Sequence, residues 1–135
     1  MANVVIRTEK EFKRFVDKVR ASETYKHGYF VYTDCFNEDE VRKARKTDNM
    51  IPRITEEVLA EGLTEKEANE VYERNKFAVE NSGYDYANIY LGNIYNPTGS
   101  DIYPYMRATG KKPERALQLH SIMSDAKKAL GYTWF

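Results

Sequence analysis

GYDYANIYLGNIYNPTGSDIYPYM, residues Gly83 to Met106, is the stretch that decides the fold, and it holds six of the chain's eleven tyrosines. Side chains alternate between the two faces of a strand, so one face carries Tyr84, Tyr86, Asn88 and Tyr90. The other, mostly apolar face carries Asp85, Ala87, Ile89 and Leu91. We therefore predict a strand here. A helix is the alternative, because Tyr86, Ile89, Tyr90 and Ile94 also recur at helical spacing.

The second half of this stretch predicts a turn and a return strand. Asn96 to Asp101, NPTGSD, combines residue types that favour turns. Ile102 to Arg107 then predicts a short strand, and Pro104 restricts it to a sheet edge because proline has no N–H to donate. The two strands together predict an antiparallel hairpin with a long loop.

Patterns elsewhere in the chain predict the remaining elements. Tyr29 to Phe36, YFVYTDCF, is typical of a central strand, in which Cys35 is a small packed side chain. Asn3 to Arg7 predicts a short first strand. The predicted helices run from Glu9 to Arg20, Glu38 to Lys46, Thr55 to Gly62 (TEEVLAEG), Glu65 to Asn81 and from Pro113 up to Gly131. Capping boxes, Thr8 with Glu11 and Thr64 with Glu67, begin the first and fourth of these, and apolar stripes at helical spacing support the first, fourth and last.

These elements predict a single α+β domain spanning residues 1–135. Its antiparallel sheet has about four strands, with the helices that begin at Glu9, Glu65 and Pro113 packed on one face. The aromatic tail, Tyr132 to Phe135, either docks on this domain or serves as a partner-binding peptide.

Charge is balanced overall but uneven along the chain. The formal net charge is 0, made up of +3 through Lys46, −7 from Thr47 to Asp101 and +4 from Ile102 onward. A neutral chain is unlike a general nucleic-acid coating protein, which is basic overall. The acidic middle either pairs with the basic ends or helps to orient a partner.

No catalytic, cofactor or metal motif stands out, so we expect neither a cofactor nor a metal site and favour a non-enzymatic protein. A single cysteine, Cys35, excludes an intrachain disulfide and a cysteine-based zinc site. A small hydrolase or nuclease using His27 and His120 is the least favoured hypothesis, since nothing in their spacing supports it.

The sequence predicts a cytoplasmic protein without a membrane partner. It has a lone cysteine, no signal-like segment and no apolar window of roughly 20 residues.

The tyrosines lead to the main functional hypothesis. Tyrosine is enriched in binding hot spots, although its rings also simply cover sheets. We predict a protein-binding module, such as an accessory or inhibitor protein of a phage or other mobile element. The tyrosine face is also a candidate interface for a twofold homodimer. The predicted partner-binding residues are Tyr84, Tyr86, Tyr90, Tyr103 and Tyr105.

A basic-aromatic segment, Tyr103 to Lys112, supports an alternative. Rings beside basic groups bind nucleotides and single strands by stacking on bases and attracting phosphates. The residues predicted for this role are Tyr103, Tyr105, Arg107, Lys111, Lys112 and Arg115.

Overall fold

A three-stranded antiparallel sheet organises the described part of the chain. The computed structural model describes residues 6–46, 56–97, 99 and 101–131, with the backbone alone at 44–46. The elements are α1 (Glu9–Arg20), α2 (Glu23–Lys26), β1 (Tyr29–Phe36), α3 (Glu38–Lys46), β2 (Glu56–Leu63), α4 (Glu65–Glu80), β3 (Tyr86–Asn93), α5 (Ile102–Thr109) and α6 (Glu114–Leu130). The α+β class predicted from the sequence is confirmed.

The central strand is β1, as predicted, and the strand order is β2-β1-β3. Its pairing with β3 runs without a register shift from Tyr29 opposite Asn93 to Phe36 opposite Tyr86. The strand interpretation of the tyrosine stretch is therefore confirmed over the helical one, although Tyr84 precedes the strand.

The predicted helix from Thr55 to Gly62 is wrong, because residues 56–63 form β2. Its good helix formers are overridden by pairing with β1, since helix propensity is a weak preference that tertiary contacts outweigh. Burial alternates along the strand, with Val58 and Ala60 more covered than Glu57 and Leu59. Gly62, at φ +67°, does not end a helix but lies where the β1–β2 register slips between Ala60 and Leu63.

The predicted return strand from Ile102 to Arg107 is also wrong, because this segment is the helix α5. Ile102 and Tyr105, three residues apart, are its buried side chains. Pro104 is tolerated because the first N–H groups of a helix have no partner within the helix in any case. The hairpin is thereby lost, and the described residues contain three strands rather than about four.

Helices pack against both faces of the sheet, so the prediction of helices on one face is wrong. The side chains of α4 join Val31 and Ile89 in a core around Ala68. The neighbouring Phe30 points to the other face, where the Tyr105 ring of α5 packs edge-on against it with centroids 5.4 Å apart. A capping box between Thr64 and Glu67 begins α4, as predicted.

A second core lies between α1 and α6. It consists of Ile6, Phe12, Val16, Met123 and Ala126. Both helices match their predictions, with Thr8 as N-cap of α1, Pro113 as N-cap of α6 and Gly131 in the left-handed conformation after α6. The predicted first strand falls largely outside the described residues, and Ile6 and Arg7 are not in a strand; the predicted role of the tail lies wholly outside them.

Replacing Phe30 tests the core on the α5 side. The Phe30 side chain is fully buried between Tyr32 and Tyr105, so Phe30→Ala is expected to lower the free energy of unfolding by about 3–5 kcal/mol. The measurement is guanidinium-induced unfolding. Phe77 on α4 is 77% exposed, so the matched change Phe77→Ala should stay within about 0.5 kcal/mol of wild type. Equal losses in the two variants would contradict this placement of Phe30.

Candidate protein-binding surface

A row of aromatic rings crosses the sheet face opposite α4. The β1–β3 register sets Phe36 beside Tyr86 and Tyr32 beside Tyr90. The first pair stacks with centroids 4.8 Å apart, and the second lies 5.2 Å apart at a tilt of 32°. Phe30 continues the row, stacked on Tyr32 at 5.3 Å. Such cross-strand aromatic pairs stabilise a sheet and fix the ring positions.

Only one end of this row reaches solvent. At the α5 end Phe30 is fully buried. At the other end Tyr86 is 48% and Tyr90 is 42% exposed, and Phe36 is partly buried. We call Phe36, Tyr86 and Tyr90 the aromatic surface.

Tyr32 supports the aromatic surface from within the row. Burial raises the pKa of its phenol from 10.0 to about 12, and the nearby Asp101 and Tyr90 add to the shift. Beside it, the Asn88 Nδ2 donates to the Asp34 carbonyl oxygen at 3.4 Å. The surface therefore rests on neutral, already ordered groups, which lowers the entropy cost of binding.

The five predicted partner-binding tyrosines do not form one surface. Tyr84 is exposed but lines a pocket on the α4 side of the sheet. Tyr103 is exposed on α5, and its hydroxyl lies 2.9 Å from His120 Nε2 on α6. Tyr105 is only 4% exposed, so it belongs to the core rather than to a binding surface. Tyr86 and Tyr90 alone lie together.

Three charged or polar side-chain contacts attach α5 and the segment just after it to β2. The Arg107 guanidinium binds both carboxylate oxygens of Glu56, at 2.7 and 3.1 Å. The Tyr105 hydroxyl donates to Glu61 Oε1 at 2.7 Å, and Lys111 Nζ donates to the same carboxylate at 3.1 and 3.2 Å. These contacts fix α5 over the far end of the aromatic row.

The pKa shifts show that these groups depend on one another. Burial and the Glu61 contact raise the pKa of Tyr105 to about 12. Burial by itself would raise the pKa of Glu61, but hydrogen bonds from Tyr105 and Lys111 outweigh it and hold that pKa below its usual value. The hydrogen bond to Glu56 raises the pKa of Arg107, against the effect of burial.

The basic-aromatic segment is thus largely engaged within the fold. Tyr105, Arg107 and Lys111 all contact side chains of β2. Lys112 is exposed, and Arg115 Nη1 donates to Thr24 Oγ1 at 3.5 Å. Three of the six residues predicted for nucleic-acid binding are therefore bonded to β2, and that role stays a prediction.

The histidines have separate partners. His27 Nε2 lies 3.8 Å from a Glu23 carboxylate oxygen within the same helical turn, while His120 contacts Tyr103. Within the described residues no contact joins them, and no group of three or more His, Cys, Asp or Glu side chains is arranged to hold a metal ion.

A pocket of about 320 Å³ lies on the α4 side of the sheet. Cys35 lines it together with Leu59, Val79 and Tyr84. Thr33, at its base, is buried and donates to the Glu57 carbonyl oxygen at 3.5 Å. Its volume is at the lower end of the range of about 300–1,000 Å³ that is typical of ligand sites, and the Thr33 and Ser82 hydroxyls in its lining donate to backbone carbonyls.

Sequence reasoning missed two residues that shape the candidate surface. Strand alternation puts Phe36 on the same face as Tyr32, but its stacking on Tyr86 depends on the strand register, which the sequence does not give. For Asp85, the sequence predicts only a position on one face of the strand. Asp85 instead accepts from the Glu38 N–H at 2.7 Å and donates its own N–H to Asn37 Oδ1, which fixes the start of β3 to α3.

Comparison with known proteins identifies no relative. A scan against protein-family models gives no match, and searches of curated proteins and of solved structures give no significant match. Among the described residues, no helix has the length and apolar character needed to cross a membrane.

One buried and two half-buried phenols provide a test of this geometry. Tyr29, Tyr32 and Tyr105 have folded-state pKa values of about 12 against 10.0 when unfolded, chiefly because of burial. A phenol whose pKa is higher in the folded than in the unfolded protein contributes its full stabilisation below pH 10. That contribution is lost as the pH rises from 10 to 12. In a pH titration of the folded protein, tyrosinate absorbance should therefore show a late phase, at higher pH than the exposed tyrosines. Tyr105→Phe should lower the amplitude of this late phase by the absorbance of one phenol. Circular dichroism checks that the protein is still folded, and a titration without a late phase would contradict the burial of these rings.

Proposed function

We propose that this chain is a non-enzymatic protein-binding module that contacts its partner through the aromatic surface. The observation that carries the proposal is the pair of half-exposed tyrosines, Tyr86 and Tyr90, held in fixed positions by stacking on Phe36 and Tyr32. Tyrosines with a fixed ring and a hydroxyl facing solvent are favoured in binding hot spots, since they bury much area at little entropy cost.

The chemistry around these rings favours a protein over a nucleic acid. β3 contains no charged residue. The carboxylates of Asp101, Glu56 and Asp34 lie near Tyr32, and the cation near it, Arg107, is paired with Glu56. A phosphate backbone needs cations, and Arg107 of α5 and Lys111 just after it are paired with β2. A role as an accessory or inhibitor protein is consistent with a small chain that acts by covering a partner, and it is part of this proposal.

The double variant Tyr86→Ala/Tyr90→Ala tests the proposal. Purified wild-type protein is immobilised and exposed to an extract of the organism that encodes it, and each retained protein is purified for titration. Because hot-spot truncations cost about 2 kcal/mol or more each, the double variant should weaken binding of the true partner by about a thousandfold.

Two single variants serve as controls. Tyr84 and Tyr103 are exposed to a similar degree as Tyr86 and Tyr90 but lie elsewhere, so Tyr84→Ala and Tyr103→Ala should bind the partner as wild type does. Circular dichroism confirms folding. Equal binding by wild type and the double variant would refute the aromatic surface as the site. Salt-sensitive binding of a single-stranded oligonucleotide, lost in Lys112→Glu/Arg115→Glu, would instead support the nucleic-acid function.

A further inference from the structure

The two edge strands of the sheet differ in how they are protected. β2 has two register irregularities against β1, carries Glu56, Glu57 and Glu61, and is held by α5. Bulges and charges are the usual devices that prevent a sheet edge from pairing with another chain. β3, YANIYLGN, has neither charge nor proline nor register shift. Among the described strands it is therefore the edge that remains open to pairing.

The backbone hydrogen bonds show which groups of β3 point outward. The Ile94 N–H donates across to the Gly28 carbonyl oxygen of the β1 side. Because backbone direction alternates in an antiparallel ladder, the even-numbered residues of β3 face β1 and Ala87, Ile89 and Leu91 face away. Asn93 also faces away, but its N–H is taken by Asp101 Oδ2 at 3.0 Å. The open edge thus runs from Ala87 to Leu91.

Both ends of this edge are fixed in place. At the start, Asp85 is bonded to Asn37 and Glu38. At the end, the Asn93 side chain donates to the Tyr25 carbonyl oxygen at 2.8 Å and accepts from the Tyr95 N–H at 2.9 Å. A strand already held straight loses little entropy when a second strand pairs with it.

We infer that the open edge of β3 pairs with β3 of a second copy of this chain, in antiparallel orientation about a twofold axis. An uncharged edge is complementary to itself, because no like charges meet when it faces its own copy. The chain as a whole has a formal net charge of 0, so the two copies do not repel each other at long range. The product is a continuous six-stranded sheet with the protected β2 edges outermost. Because the interface is twofold, assembly stops at the dimer.

The open edge is used in full only when the pair is centred on Ile89. Outward-facing residues must meet outward-facing residues, and centring on Ile89 pairs Ala87 with Leu91 of the second copy. Tyr86 then lies opposite Gly92 of the second copy, and Tyr90 lies opposite Asn88. Since a twofold axis perpendicular to the sheet keeps each face on its own side, the two aromatic surfaces join into one. This inference goes beyond the proposed function and does not require it.

The test is the mass of the purified protein in solution, measured by sedimentation equilibrium over a wide concentration range. The wild type is expected to approach twice the chain mass of 15.8 kDa. Ala87→Pro removes an outward N–H without touching the β1 ladder, a position where edge strands tolerate proline. It should raise the dimer dissociation constant by about a hundredfold or more.

A pair of lysine variants separates edge pairing from a general effect of charge. Ala87→Lys places a cation on the open edge and should also give monomers, since edge lysines block pairing. Leu59→Lys adds the same charge to the same side of the sheet but on β2, where Leu59 is exposed, and it should remain dimeric. Circular dichroism and thermal unfolding confirm that every variant is folded.

Three results would contradict this dimer interface. A wild type that stays at the mass of one chain at every concentration overturns the inference, as does a dimer that survives both Ala87 variants. Loss of the dimer in Leu59→Lys to the same extent as in Ala87→Lys would place the interface elsewhere. Failure of the partner test above leaves these masses unchanged, because they involve no other protein.

Discussion

The pairing of β1 with β3 is the constraint on which the rest of the structure depends. Side chains alternate with period two, so this one register decides which residues face α4 and which face away. It puts Val31 and Ile89 in the core around Ala68, and it stacks Phe36 on Tyr86 on the opposite face. A slip of one residue would turn the tyrosines of β3 into the core and expose its apolar residues. The aromatic surface is therefore a consequence of the same register that forms the core.

The second requirement is the attachment of α5 to β2. The sequence places an acidic middle region before a basic carboxyl-terminal region, and the fold uses part of this asymmetry internally. Glu56, whose side chain is only 10% exposed, accepts both arms of the Arg107 guanidinium. Two-point pairing of this kind has defined geometry, so it positions α5 as well as stabilising it. As a result α5 covers Phe30 and leaves Tyr86 and Tyr90 in solvent.

The sequence predicted the elements whose signals are local. Capping at Thr8 and Thr64, the glycine at 131 and the regular apolar stripes placed the long helices correctly. It failed at β2, which forms by pairing with β1, and at α5, whose contacts with β2 join residues 44 to 51 positions apart. Those errors carried into the site. Tyr86 and Tyr90 were found because strand alternation exposes them, whereas Tyr105 was misplaced because a helix turns its ring onto Phe30.

The most direct test of this account is the β1–β3 register measured by nuclear Overhauser effects in solution. In the register described, Thr33 lies opposite Ile89 in a pair that makes no hydrogen bonds with each other, where the two Hα atoms come closest. The account predicts strong Hα–Hα effects between Thr33 and Ile89 and between Val31 and Leu91. Effects linking Thr33 instead to Asn88 or Tyr90 would show a register shifted by one residue. That result would contradict the aromatic surface and the open edge together.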